Sequence, residues 1–188
     1  MKKIIIAALA LLSAACSSPK PHFYQPVAMQ TAEKSYPNVK FTLLLNQVLL
    51  PAEAARPQIA TLGKENYEVR IDEFNRWGAA PERLIQNVLN QNLSLTLPNA
   101  VIENQTPLRK NYQYAVAVEI TEMNGRLDDY AVLKASYFIK NKMGRIVKSG
   151  RFDSKVKIDG GYDEYVPAQS SLLGGLAAKI SDDIAKLK

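Results

Sequence analysis

The chain has 188 residues, 47% hydrophobic and 22% charged, with a formal net charge of +6. That length supports one domain with a real core, and no segment repeats at a solenoid period. One cysteine and one histidine exclude an intrachain disulfide and a paired Cys/His zinc site.

Residues 1–15 read as a signal peptide: Lys2 and Lys3 form a basic start, residues 4–12 an apolar run, and Ser13-Ala14-Ala15 a small-residue stretch. A span needs about 20 apolar residues, so this run does not cross a bilayer. Cys16, directly after two alanines, resembles a lipobox cysteine, whose thiol takes a diacylglycerol and becomes the new N-terminus. The usual leucine is displaced, with Ser13 in its place and Leu12 one position further out. Ordinary cleavage is the other reading, because Ser13 and Ala15 also make a small-x-small site. A single unpaired cysteine in an exported chain favours lipidation.

On the lipidation reading, Ser17 stands where an aspartate would resemble an inner-membrane retention signal. The expected location is therefore the periplasmic face of the outer membrane, held by a covalent lipid on Cys16. Two or three acyl chains anchor stably where one is marginal. Residues 16–37, with Pro19, Pro21 and Pro26, read as lipidated N-terminus and tether. Within them Phe23-Tyr24 is either a short edge strand or plain linker.

Residues 38–188 read as a single globular domain. Residues 41–50 form an expected central strand, apolar on both sides at Leu43, Leu44, Leu45, Val48 and Leu49. Pro51 and Pro57 stop it and turn a corner. Residues 59–62 and 67–71 then pair as a hairpin across Gly63-Lys64-Glu65-Asn66. Gly78 breaks the extended run after Phe74-Asn75-Arg76-Trp77, and Pro81 suits the first turn of a helix over 81–97. Leu84, Ile85, Val88, Leu89 and Leu93 are its apolar stripe. Arg76 and Trp77 are the expected structural corner, where a large ring closes the end of a core.

Leu50-Pro51, Arg56-Pro57-Gln58-Ile59, and Arg76-Trp77 followed by Pro81, Leu84 and the helix end Asn92-Leu93 resemble the PqiC-type ABC-transport auxiliary lipoproteins. The resemblance covers most of the mature chain. Gly78-Ala79-Ala80 and Ala52-Glu53-Ala54-Ala55 depart from the family's usual segments.

Residues 100–103 form a further short strand and Pro107 interrupts. Three strands follow, over 113–123, 130–140 and 145–158, joined by turns at Asn124-Gly125 and 141–144. Apolar residues alternate to one face, at Val116, Val118 and Ile120, at Leu133, Ala135, Tyr137 and Ile139, and at Phe152, Val156 and Ile158. Arg151, Asp153, Lys155 and Lys157 take the other face. Lys148 falls on the apolar side, out of pattern. A second helix is expected over 168–187, with Leu173, Leu176, Ala177, Ile180 and Ile184 inward. Gly174-Gly175 inside it means either a close backbone approach or a helix that starts later. The fold class is α+β: a two-layer sandwich of a mainly antiparallel sheet with two long helices on one face.

The inventory holds little chemistry. His22 lies in the tether, isolated from any triad. Gly-x-Ser-x-Gly, Walker and zinc-spacing motifs are absent, and Asp128-Asp129 and Asp182-Asp183 read as turn and helix-surface charge. No catalytic residue, metal or cofactor is expected beyond the lipid on Cys16. The resemblance implies a non-enzymatic outer-membrane lipoprotein subunit of an envelope lipid transport or membrane-integrity system. Its implied partners are a periplasm-spanning MCE-domain protein and that protein's inner-membrane partner. MCE-domain proteins form rings, so a matching homo-oligomeric ring is the corresponding expectation, and export rules out nucleic acid. The alternative is a small anchored module holding lipid or another apolar ligand between helix and sheet. Arg151, Lys155 and Lys157 are the candidate partner surface, against the bland reading of a solvated sheet face.

Overall fold

The computed structural model describes residues 19–65, 67–104 and 111–187. The signal-peptide and Cys16 readings and the Pro107 break lie outside the described residues.

Period-two alternation locates the core. β6 (Tyr114–Arg126), β7 (Tyr130–Asn141) and β8 (Ile146–Lys157) form an antiparallel meander. Val116, Val118, Ile120, Leu133, Ala135, Tyr137 and Ile139 are buried on one face. Two more strands, β2 (Thr42–Leu45) and β5 (Val101–Asn104), complete a sheet of order β5-β2-β6-β7-β8. β2 runs parallel to both of its neighbours, so the sheet is antiparallel only over β6, β7 and β8. Helices α1 (Pro81–Thr96) and α2 (Tyr162–Ile184) lie against the buried face. Their hydroxyls meet at Thr96 Oγ1 and Ser181 Oγ, 2.6 Å apart.

The expected central strand over 41–50 is shorter, ending at Leu45. Beyond it the chain still tracks β6 by isolated bonds, Leu49 N to Val118 O at 3.0 Å and Ile120 N to Leu49 O at 2.9 Å. The expected turn at Asn124-Gly125 lies inside β6, and the reversal comes three residues later, with Asp128 at φ 61°. Gly125 serves close approach instead: a Cβ there would strike the backbone of Tyr130 and Ala131. α2 starts at Tyr162, six residues before the expected start, because it accepts Pro167 near its N-terminal end. Gly174 and Gly175 resolve as close approaches, where added Cβ atoms would meet Met29 Sδ at 2.7 Å and the Phe152 ring at 3.1 Å.

The proline corner creates a second sheet. β3 (Gln58–Leu62) and β4 (Val69–Trp77) pair antiparallel, and β1 (His22–Tyr24) adds to β4 in parallel, in the order β1-β4-β3. β4 runs unbroken where two pieces were expected, because it absorbs a bulge. Asp72 Oδ1 accepts the Phe74 and Asn75 N–H groups at 2.8 and 2.9 Å, holding the extra residues in place.

The tether reading of residues 16–37 is corrected over its described part. β1 is an edge strand, Val27 N donates to Ser170 Oγ at 3.1 Å, and Met29 N donates to Asn92 Oδ1 at 2.8 Å. Tyr36 N reaches Thr96 O at 2.8 Å, and Lys34 pairs with Asp182 at 2.9 Å. The segment is a strap across both helices. Its prolines suit an extended path, and its N–H groups find partners on the helices instead of in water.

Candidate functional site

Arg151, Lys155 and Lys157 project from β8 on the sheet face away from the helices, opposite Ser136, Val132 and Tyr130. β8 is the edge of the five-stranded sheet. Lys155 Nζ sits 3.3 Å from the Tyr130 ring centroid, and Lys157 Nζ lies 2.9 Å from Asp159. Lys134 pairs with Glu122 at 2.9 Å and stands opposite Asp153. The hydrogen bond and charge of Glu122 raise the Lys134 pKa. A shallow groove of about 410 Å³ runs between these side chains and Leu62 of the small sheet. The face is a lattice of alternating charges, suited to a polar protein surface that matches it pair by pair.

Trp77 is buried, and its backbone N–H donates to Pro57 O at 2.7 Å. The next residue, Gly78, donates to Tyr24 O at 2.7 Å. The corner thus ties β1, the proline turn and the start of α1 together. Arg76 points to the opposite side of β4, level with Phe23 and Gln58.

The out-of-pattern Lys148 has a partner that helix periodicity hides. Asp183, taken above as helix-surface charge, is only 13% exposed at its side chain. It accepts the Tyr137 hydroxyl at 2.6 Å and faces Lys148 at 3.5 Å and Lys186 at 3.6 Å. Burial works against the Asp183 charge. The Tyr137 hydrogen bond and the two lysines outweigh it and hold the carboxyl below its ordinary range. Burial and Asp183 together push the Tyr137 phenol up. Gly150 leaves the space for that phenol, since a Cβ there would collide with it. The network joins β7, β8 and α2.

Tyr137→Phe should therefore cost about 1–3 kcal/mol at neutral pH, because it strips a hydrogen bond from a shielded carboxylate. A lowered folded pKa stabilises above the unfolded value of about 3.9 and loses that stabilisation as pH falls through the folded one. The deficit of the variant should thus narrow below about pH 4, read by denaturant titrations across pH. A deficit independent of pH would mean that Asp183 is not the partner that matters.

Between the layers there is little room. A pocket lined by Pro26, Trp77, Pro81, Leu84, Ile85 and Met123 encloses about 0 Å³. The larger groove of about 470 Å³, along Gln47, Glu82, Arg83, Gln86 and Asn104, is open and mixes polar with apolar surface, and another of about 350 Å³ lies along Tyr36, Val39, Phe41 and Leu187. Among the described residues no cluster of His, Cys, Asp or Glu could hold a metal ion, and no helix is long and apolar enough to cross a membrane.

Residues 23–181 match the family model described as the ABC-type transport auxiliary lipoprotein component. The chain is 30% identical over 190 residues to the intermembrane transport lipoprotein PqiC of Escherichia coli K12, covering 100% of both chains. An equal match is the intermembrane transport lipoprotein PqiC of Shigella flexneri. Two crystal structures share the fold. One, an uncharacterised protein, is 25% identical with a TM-score of 0.68, covering 89% of this chain and 98% of its own. The other, from Xanthomonas campestris, is 14% identical with a TM-score of 0.69, covering 85% and 92%.

Proposed function

Since this chain belongs to the ABC-type transport auxiliary lipoprotein component family, we propose that it is a non-enzymatic subunit of an envelope lipid transport or membrane-integrity system. It is anchored through a lipidated Cys16 on the periplasmic face of the outer membrane and docks an MCE-domain protein that spans the periplasm. That protein's inner-membrane partner completes the system. The observation that carries the reading is the full-length similarity to an intermembrane transport lipoprotein.

The filled interior supports the docking role over the ligand-holding alternative. A chamber for a lipid tail needs a pocket of about 300 Å³ or more that encloses most of its ligand. The space between helix and sheet at Trp77 and Met123 is closed, and the roomier grooves, at Gln86, at Leu62 and at Phe41, open at the surface and do not enclose a ligand. Such a domain works through its surface.

The open face of the large sheet is the docking surface in this reading, with β8 at its rim. Exchanging Arg151, Lys155 and Lys157 for glutamate sets Lys157→Glu beside Asp159 and removes the Lys155 contact with Tyr130. Association with the cognate MCE protein should slow roughly tenfold at low ionic strength and recover towards the parent rate at high salt. Surface plasmon resonance at two salt levels reads this. Equal rates for parent and variant at both levels would leave the basic positions as a solvated face.

A further inference from the structure

The strap changes the height at which the domain sits. His22, where β1 begins, is six residues beyond Cys16, and extended chain covers at most about 3.6 Å per residue, so about 20 Å in all. On the proposed anchoring through Cys16, on which this inference rests, His22 at the edge of the small sheet stays within that distance of the acyl chains.

One face of that sheet exposes apolar side chains at Phe23, Val69 and Ile71, while Ala60 between the strands is covered. Along β3, Ile59 and Thr61 turn inward at 0% and 2% exposure, so Gln58, Ala60 and Leu62 turn outward. The pairing register sets Arg76 beside Gln58, Ile71 beside Ala60 and Val69 beside Leu62, with Phe23 next to Arg76. Phe23 is 65% exposed, Val69 51% and Ile71 42%. The strand nearest the anchor thus carries the most exposed aromatic ring of the patch. Lys20 is exposed just ahead of it, and Arg76 stands between Phe23 and Gln58, whose amide donates to the exposed Glu73 carboxylate at 3.2 Å.

We propose that this face rests on the bilayer that holds the anchor, with Phe23 and Ile71 in the interfacial region and Lys20 and Arg76 at the lipid phosphates. Exposed apolar side chains flanked by Lys20 and Arg76, whose stems can lie along them, suit a headgroup boundary, with the Glu73 carboxylate held by Gln58 at the patch margin. The leash favours this occupant, because another partner at the Phe23 end would have to enter a gap narrower than about 20 Å between β1 and the membrane. The 141–145 hairpin, with Met143 76% exposed, then points away. It lies at the Tyr114 end of the β6–β7 ladder, whereas the small sheet touches the other end, where Arg126 donates to Gly63 O at 2.9 Å.

The test uses the full lipidated chain in vesicles of phosphatidylethanolamine and phosphatidylglycerol carrying nitroxide-labelled lipid. Phe23→Trp and Met143→Trp are compared after subtracting the parent, whose Trp77 is buried. Quenching at least threefold stronger at position 23 than at 143, with a blue-shifted emission, is expected. Equal or absent quenching in chains that still float with the vesicles overturns the proposal while leaving the anchor intact. Chains that fail to float overturn the anchor, and this proposal with it. Ile71→Ser provides a second reading in detergent solution. An unchanged sedimentation coefficient agrees with a lipid-facing patch, and a smaller assembly would make the patch a contact between copies and overturn the proposal.

Discussion

Leu89→Ala is expected to lower the unfolding free energy by about 2–5 kcal/mol, the range for deleting a fully enclosed aliphatic side chain. Leu89 is 0% exposed, in the middle of α1, between Ile85 and Leu93 at 2% and 1%. Its neighbourhood has little freedom to collapse into the vacancy. The strap is fixed to α1 at Asn92, the two helices are joined at Thr96 and Ser181, and Gln86 binds the β2 segment through Val48 N at 2.9 Å. A well-braced cavity retains its volume, which favours the upper part of the range. Chemical denaturation measures it directly. A loss below about 0.5 kcal/mol would put the helix stripe outside the core. Asn87→Ala, on the exposed side of the same helix, should stay within about 0.5 kcal/mol.

Cys16→Ser should keep the chain out of the outer-membrane fraction. Each buried acyl methylene contributes about 0.8 kcal/mol, so two long chains hold far more firmly than any surface patch of a few side chains. Without them only the proposed contact of the small-sheet face would remain, and a patch of a few side chains would attach weakly and reversibly. The variant should accumulate as uncleaved precursor or leave the outer-membrane fraction, and mass spectrometry of the parent N-terminus should find acyl chains on Cys16. An unmodified Cys16 in a soluble periplasmic pool would remove the anchor. The strap makes this residue matter beyond attachment. With β1 paired to β4, an acyl group on Cys16 would also set which side of the domain faces the bilayer, as proposed above.

What could be read from the residues follows the range of the forces involved. The α1 stripe and the inward sides of β6 and β7 are local periodicities, so they were legible, as were the burial of Trp77 and the α+β class. The second sheet was not. Its three-stranded form depends on β4 pairing with β1 across about fifty residues of chain, and on Asp72 closing a bulge that looks like a break between two strands. The strap was misread because proline-rich polar sequence signals extended backbone without saying whether water or a helix takes its hydrogen bonds. Gly125 was misread because Asn-Gly signals a turn and close ladder packing equally well. Lys148 was the one visible trace of the Asp183 network, since a lysine on an apolar face needs a partner. The partner itself came from a helix 35 residues further on, which no spacing rule reaches.

The docking role rests on partners, and co-isolation tests it most directly. The lipidated chain, tagged at its C-terminus and extracted from envelopes in mild detergent, should elute with an MCE-domain protein and that protein's inner-membrane partner. The Arg151, Lys155 and Lys157 glutamate variant, extracted at low salt, should elute with less of both. Recovery of the parent chain alone, folded, acylated and without an MCE-domain protein at any salt concentration, would contradict the account.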